Sequence, residues 1–130
     1  MITLKETKQK ISVEPQLWLE HLVSFVHNFR NEKDVGAVSD PFVRSNDRVD
    51  AILASTAEYL CDELGEEPPP WLDKVPAPKD PWFVAGIDSL MAKAIVESPL
   101  RFRIRKIFVL ESFLDEDTTK AILEKRSTSA

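Results

Sequence analysis

The sequence predicts a mainly α-helical fold, a single-domain bundle of about four helices with a proline-rich strap and room for one short extended segment. Three observations lead there. Apolar residues recur three and four apart through much of the chain, the spacing that lines one face of a helix. Only 3 glycines occur in 130 residues, while the good helix formers Ala, Leu, Glu and Lys are plentiful. The 9 prolines are clustered rather than scattered, so they punctuate segments instead of breaking them. With 43% hydrophobic residues, the chain closes one core but is short for two.

Residues 1–14 mix charge with isolated Ile2, Leu4, Ile11 and Val13 and read as an irregular lead. From Pro15 to about Arg30, Trp18, Leu22, Phe25, Val26 and Phe29 repeat at helical spacing, with Leu19 and Val23 widening the stripe. His21 and His27 lie six apart on this helix, a spacing that does not bring two imidazoles together, and read as partly exposed. Asn31 to Ser39 is a connection, and Asp40-Pro41 resembles a cap. Asn46 or Asp47 caps the next helix, in which Val49, Ile52, Leu53, Thr56, Ala57, Leu60, Cys61 and Leu64 form the stripe and Gly65 the stop. Cys61 falls on that stripe and reads as inert packing, with no basic residue nearby in sequence to activate it. The carboxylate pairs Asp47/Asp50 and Glu58/Asp62 read as a solvated face.

Residues 66–79, EEPPPWLDKVPAPK, predict an extended strap pinned by Trp71 and Leu72. Asp80-Pro81 then reads as an N-cap with proline at the first helical position, opening a helix whose core face would be Phe83, Ile87, Leu90, Met91, Ala94 and Ile95. Ser98-Pro99 ends it. Past Leu110, Phe113 and Leu114 precede a short helix capped by Asp115 or Asp117, and residues 126–130 are expected to be disordered.

The run Arg101 to Val109, RFRIRKIFV, is basic and apolar at once. Its Arg101, Arg103, Arg105 and Lys106 carry +4 in a chain of net charge −5, so positive charge is concentrated there. As a strand it would put Phe102 and Ile104 opposite the arginines; as a helix it would group Arg101 with Arg105. Three uses of the guanidinium groups compete: internal pairing with acids such as Asp62, Glu63, Glu66, Glu67 or Asp115 to Asp117, a surface for an acidic protein, or phosphate contacts to nucleic acid. The last is weakened by the acidic balance of the whole chain.

No GxSxG, P-loop, dinucleotide fingerprint, HExxH or zinc-spaced Cys/His pattern occurs, so an enzyme, a cofactor and a metal are not expected. A nucleophile–base pair would have to join Cys61 to His21 or His27 across the bundle. No run of about 18 apolar residues is present, residues 1–10 lack the apolar core of a signal peptide, and one cysteine cannot make an internal disulfide. A reducing cytoplasm is the expected setting.

Several features together resemble a domain of uncharacterised bacterial antitoxin-like proteins of toxin–antitoxin type: the helix Ala57 to Gly65, Pro70-Trp71, Pro81-Trp82-Phe83, Ser98-Pro99 and the run Phe102 to Val109. The resemblance covers roughly residues 48–110. In proteins of that kind the domain follows a helix-turn-helix module, which residues 1–47 do not resemble. The resemblance implies a non-enzymatic regulator with a toxin-like cognate partner, and it makes Trp82, Phe102, Arg103, Arg105 and Phe108 candidate contact residues. Together with Arg101 and Lys106 these form the candidate binding strip, and nucleic-acid binding through Arg101 to Lys106 is the alternative.

Overall fold

The computed structural model describes the backbone of residues 1–128 and the side chains as far as Glu124; of residues 126–130, expected to be disordered, 126–128 are helical instead, and 129–130 lie outside the described residues. The architecture is mainly helical. In chain order it runs α1 (Leu4–Val13), α2 (Trp18–Glu32), α3 (Asp47–Leu64), β1 (Trp82–Phe83), α4 (Met91–Glu97), α5 (Leu100–Arg103), β2 (Ile107–Phe108) and α6 (Glu116–Thr128), with short 3₁₀ turns between several of them.

The core forms around α3. Asn46 caps it by accepting the Val49 N–H (3.1 Å), and Gly65 ends it in the left-handed region at φ 80°, where a side chain would be strained. The helix is buried on nearly every side, from Asp50 through Cys61, because α1, α2, α5 and the 3₁₀ turn Pro70–Lys74 all pack on it. Helix α2 presents the expected stripe of Leu22, Phe25, Val26 and Phe29, and α6 lies along it. The strap is held where expected: Leu72 is buried, and the Trp71 indole donates to the Val38 carbonyl (2.9 Å) and meets Phe42 edge-on. It is not wholly extended, since Pro70–Lys74 coils into the 3₁₀ turn that seats Leu72.

Several expectations are corrected. The lead is a helix, α1: Thr3 Oγ1 accepts the Glu6 N–H (3.1 Å), and Leu4, Thr7, Lys8 and Ile11 are buried. Its inward face includes a charge. The Lys8 ammonium sits 2.7 Å from Asp50, donates to the Val43 carbonyl (2.6 Å) and Ser45 Oγ (3.0 Å), and lies over the Phe42 ring.

Asp50 and Glu58, expected on a solvated face, are buried because cations from distant segments reach them. His21 is buried rather than partly exposed, with Nε2 3.1 Å from Glu14; His27 is exposed beside Asn31. Asp40-Pro41 starts no helix; the cap in that connection is Asp34, which accepts the Gly36 N–H (2.8 Å) ahead of the turn Val35–Val38.

The largest departure follows Pro81. No helix begins there. Trp82 and Phe83 form a parallel pair with Ile107 and Phe108, the Trp82 N–H reaching the Lys106 carbonyl (2.9 Å) and the Val84 N–H the Phe108 carbonyl (3.1 Å). Trp82 packs on Trp18 with the Arg48 guanidinium over its ring, and Phe83 stacks on Phe108 at 4.9 Å. These aromatic contacts hold the segment extended against its local cap signal. The helix starts only at Met91, after a turn at Gly86 (φ 67°), and ends before Ser98-Pro99 as expected. Of the six residues assigned to its core face, only Ala94 is buried; Ile87, Met91 and Ile95 are exposed.

Candidate functional site

The basic strip is neither a strand nor a helix throughout. Residues Leu100–Arg103 make one helical turn, Ile104 to Lys106 turn back with Lys106 in the left-handed region at φ 59°, and Ile107–Phe108 pair as a strand. That reversal sends alternate side chains into the core. Phe102 is fully buried between Tyr59 and Phe113, and Ile107 is buried as well.

Arg105 is buried and its donors are committed. Nε donates to the Val75 carbonyl (3.0 Å), Nη2 to the Leu72 carbonyl (2.7 Å), and Nη1 to the Glu58 carboxylate and to Ser55 Oγ (3.3 Å). One guanidinium thus clamps the strap onto α3, using the planar fork that suits several acceptors at once. Arg101 makes a bidentate pair with Asp62 (2.8 and 3.0 Å) and lies 3.6 Å from Glu58. The Asp62 hydrogen bonds push the Arg101 guanidinium above its ordinary pKa, burial opposing them. Lys106 donates to the Lys79 carbonyl (2.7 Å). Arg103 is exposed and donates through Nε to the Ser98 carbonyl (2.7 Å); among the described residues its terminal nitrogens have no acceptor.

The seven candidate binding residues therefore divide. Phe102 and Arg105 are interior, Arg101 is tied to α3, and Trp82, Lys106 and Phe108 are half-buried, with both aromatics stacked inside the fold. Arg103 and Lys106 are the two whose charge meets no carboxylate among the described residues, each making one bond to a backbone carbonyl. Internal pairing is thus the use the fold makes of Arg101 and Arg105: Asp62 was among the acids named as partners, whereas Glu58 was not.

Cys61 is fully buried. Burial first, then the neighbouring Asp62 carboxylate, pushes its thiol up to about 11, although Arg101 lies close enough to pull the other way. A basic neighbour is therefore present after all, supplied by α5 and invisible in the local sequence. No hydrogen bond joins Cys61 to either histidine among the described residues. Nor do three His, Cys, Asp or Glu side chains gather there as metal ligands would. No helix among the described residues is long and apolar enough to cross a membrane.

A helix with exposed apolar side chains precedes the strip in the chain. Helix α4, MAKAIVE, has apolar side chains at five of its seven residues, yet buries only Ala94. Met91 and Ile95 share one side of it, and Ala92 and Val96 the adjoining side. Ile87 precedes them and Leu100 and Ile104 follow, with Val96 76%, Leu100 69% and Ile104 55% exposed. A surface helix ordinarily turns such residues inward. What holds α4 in this orientation is Ser98, whose buried Oγ accepts the Val109 N–H (2.8 Å) and reaches the Ala94 carbonyl (2.5 Å). Glu97 fixes the same end by accepting the Glu111 N–H (2.7 Å).

The sequence places Ile87, Met91 and Ile95 at helical spacing and so predicts them in the core; Val96, Leu100 and Ile104 lie outside that predicted face. Period alone reports that a face is apolar, not what covers it. Neither a protein-family model, a curated protein nor a solved structure matches this chain.

Proposed function

We propose that this protein is a non-enzymatic protein-binding or regulatory protein that docks its partner on the apolar face of α4 and α5. One observation carries the reading: α4 is anchored at its C-terminal end by Ser98 and Glu97 while Met91, Ile95 and Val96 stay in solvent. Large apolar side chains grouped on one exposed segment are the usual mark of a binding surface. Arg103 is the exposed cation between Leu100 and Ile104 in the chain, so the proposed docking region includes one member of the basic strip beside Ile87, Met91, Ile95, Val96, Leu100 and Ile104.

The antitoxin-like resemblance supplies the finer reading: a bacterial regulator whose partner is a toxin-like protein. A reducing cytoplasm is the compartment we propose with it, in keeping with a single buried thiol. Nucleic-acid binding through Arg101 to Lys106 would require guanidinium groups that Asp62 and Glu58 already occupy.

Site-specific photocrosslinking in the native host tests the proposal. A photoreactive residue at Val96 should yield one discrete protein adduct, whereas the same residue at Val43 or Val13, equally exposed but distant in sequence, should not. Equal adducts at all three positions would sink the docking reading. Salt-sensitive retardation of DNA that disappears when Arg101, Arg103, Arg105 and Lys106 are changed in folded variants would favour the nucleic-acid reading instead.

A further inference from the structure

The buried Lys8 ammonium has the surroundings of a bound ligand. Its three N–H groups meet three acceptors, the Asp50 carboxylate (2.7 Å), the Val43 carbonyl (2.6 Å) and Ser45 Oγ (3.0 Å), and the Phe42 ring centre lies 5.2 Å from Nζ. One carboxylate, two neutral oxygens and an aromatic face match a primary ammonium in both charge and number of donors. All of these groups come from residues 42–50. The Ser45 N–H donates to the second Asp50 oxygen (2.9 Å), and Asn46 caps α3 beside it, so bonds within this stretch set the positions of the acceptors.

Asp50 and Ser45 also line a surface cleft of about 260 Å³, together with Arg44, Asp47 and Pro76. Counted without Lys8, cleft and site hold two carboxylates, Asp47 and Asp50, against the Arg44 guanidinium, which donates to the Lys74 carbonyl (3.2 Å). Apart from Lys8, α1 is lightly held. Its large apolar side chains in the core are Leu4 and Ile11; the Ile2 N–H ahead of it donates to Asn28 Oδ1 (2.8 Å), and Glu14 after it meets His21.

We propose that Phe42, Val43, Ser45 and Asp50 form a binding site for a primary alkylammonium ion, with Lys8 as its resident occupant and α1 as an arm that such an amine displaces. Docking at α4 is not required for it. A quaternary ammonium has no N–H to give the three oxygens, and an alcohol brings no charge to Asp50, so the site selects primary amines over both.

The test uses the full chain and its Lys8→Ala variant, in which the lost methylenes and ammonium leave the space of one n-propylammonium ion. At ten times its dissociation constant, n-propylammonium chloride should raise the Tm of the variant by about 5 °C, whereas n-propanol, tetramethylammonium chloride and sodium chloride should not. Lys8→Met, which fills the space without charge, and Lys8→Ala combined with Asp50→Asn should both be unresponsive. In the unaltered chain, hydrogen exchange read by mass spectrometry should show the α1 amides exchanging about tenfold faster in n-propylammonium than in tetramethylammonium, with α2 and α3 unchanged.

A Tm that does not rise, or rises equally with n-propanol or sodium chloride, would overturn the ammonium site. Rescue of the variant with unchanged α1 exchange in the unaltered chain would overturn the displaceable arm and leave Lys8 a fixed ion pair. Should Lys8→Ala fail to fold, the exchange measurement decides alone: acceleration by n-propylammonium and not by tetramethylammonium supports the site, and no acceleration overturns it.

Discussion

Replacing Arg105 with alanine separates the two roles the basic strip might play. The side chain is buried, and its loss leaves the Glu58 carboxylate in the core with only Arg101, 3.6 Å away, to answer it. The Leu72 and Val75 carbonyls lose their donor as well. Breaking a buried ion pair from one side costs about 3–5 kcal/mol. For a 130-residue domain that corresponds to roughly 11–18 °C in Tm. Urea denaturation followed by tryptophan fluorescence should show this loss, because Trp71 sits on the strap that Arg105 clamps. Should Arg105→Ala leave the protein unfolded, Arg105→Met with Glu58→Met removes both charges and leaves chiefly the carbonyls unsatisfied, about 1–3 kcal/mol. A loss below about 1 kcal/mol for Arg105→Ala, accompanied by loss of partner binding, would refute the assignment of this arginine to the fold.

Other expected outcomes follow from the same contacts. Lys8→Met should cost about 3 kcal/mol by stranding the buried Asp50, and adding Asp50→Asn should restore much of it; chemical denaturation of the single and double variants reads the coupling. Gly65→Ala should cost about 1 kcal/mol, since φ 80° strains any side chain although space for a Cβ is open, and thermal denaturation should detect it. The Cys61 thiol should react with a disulfide reagent only on unfolding. Its folded pKa lies above the ordinary 9.0, so its contribution to stability is complete below pH 9 and is lost as pH rises toward about 11. Denaturation midpoints compared with those of Cys61→Ala over that range should fall more steeply for the unaltered chain.

Where the sequence was legible, the deciding contacts were local. Helices α2 and α3 carry their stripes, their stop at Gly65 and the Asn46 cap in adjacent residues, and both form at those places. Helix α1 was missed although Thr3 to Glu6 spells a capping box, because Lys8 interrupts its short apolar stripe and finds its partner forty-two residues away. Asp80-Pro81 carried as good a start signal as any in the chain, but Trp82 and Phe83 gain more from Trp18, Phe108 and the pairing with residues 107–108 than from helix. The candidate site was misread for the same reason. Arg105 and Phe102 look like a surface strip in one dimension and are interior in three, whereas Ile87 and Ile95 look like core and stand in water.

By itself the sequence determined that this chain would be helical, where its two long helices run, that the prolines would strap them, and that positive charge would gather near residue 103, because periodicity, capping and charge are properties of neighbours. Only the tertiary structure decided which charges are interior and which apolar faces remain uncovered. Those outcomes depend on segments dozens of residues apart competing to desolvate the same side chains, and no local pattern contains the result of that competition.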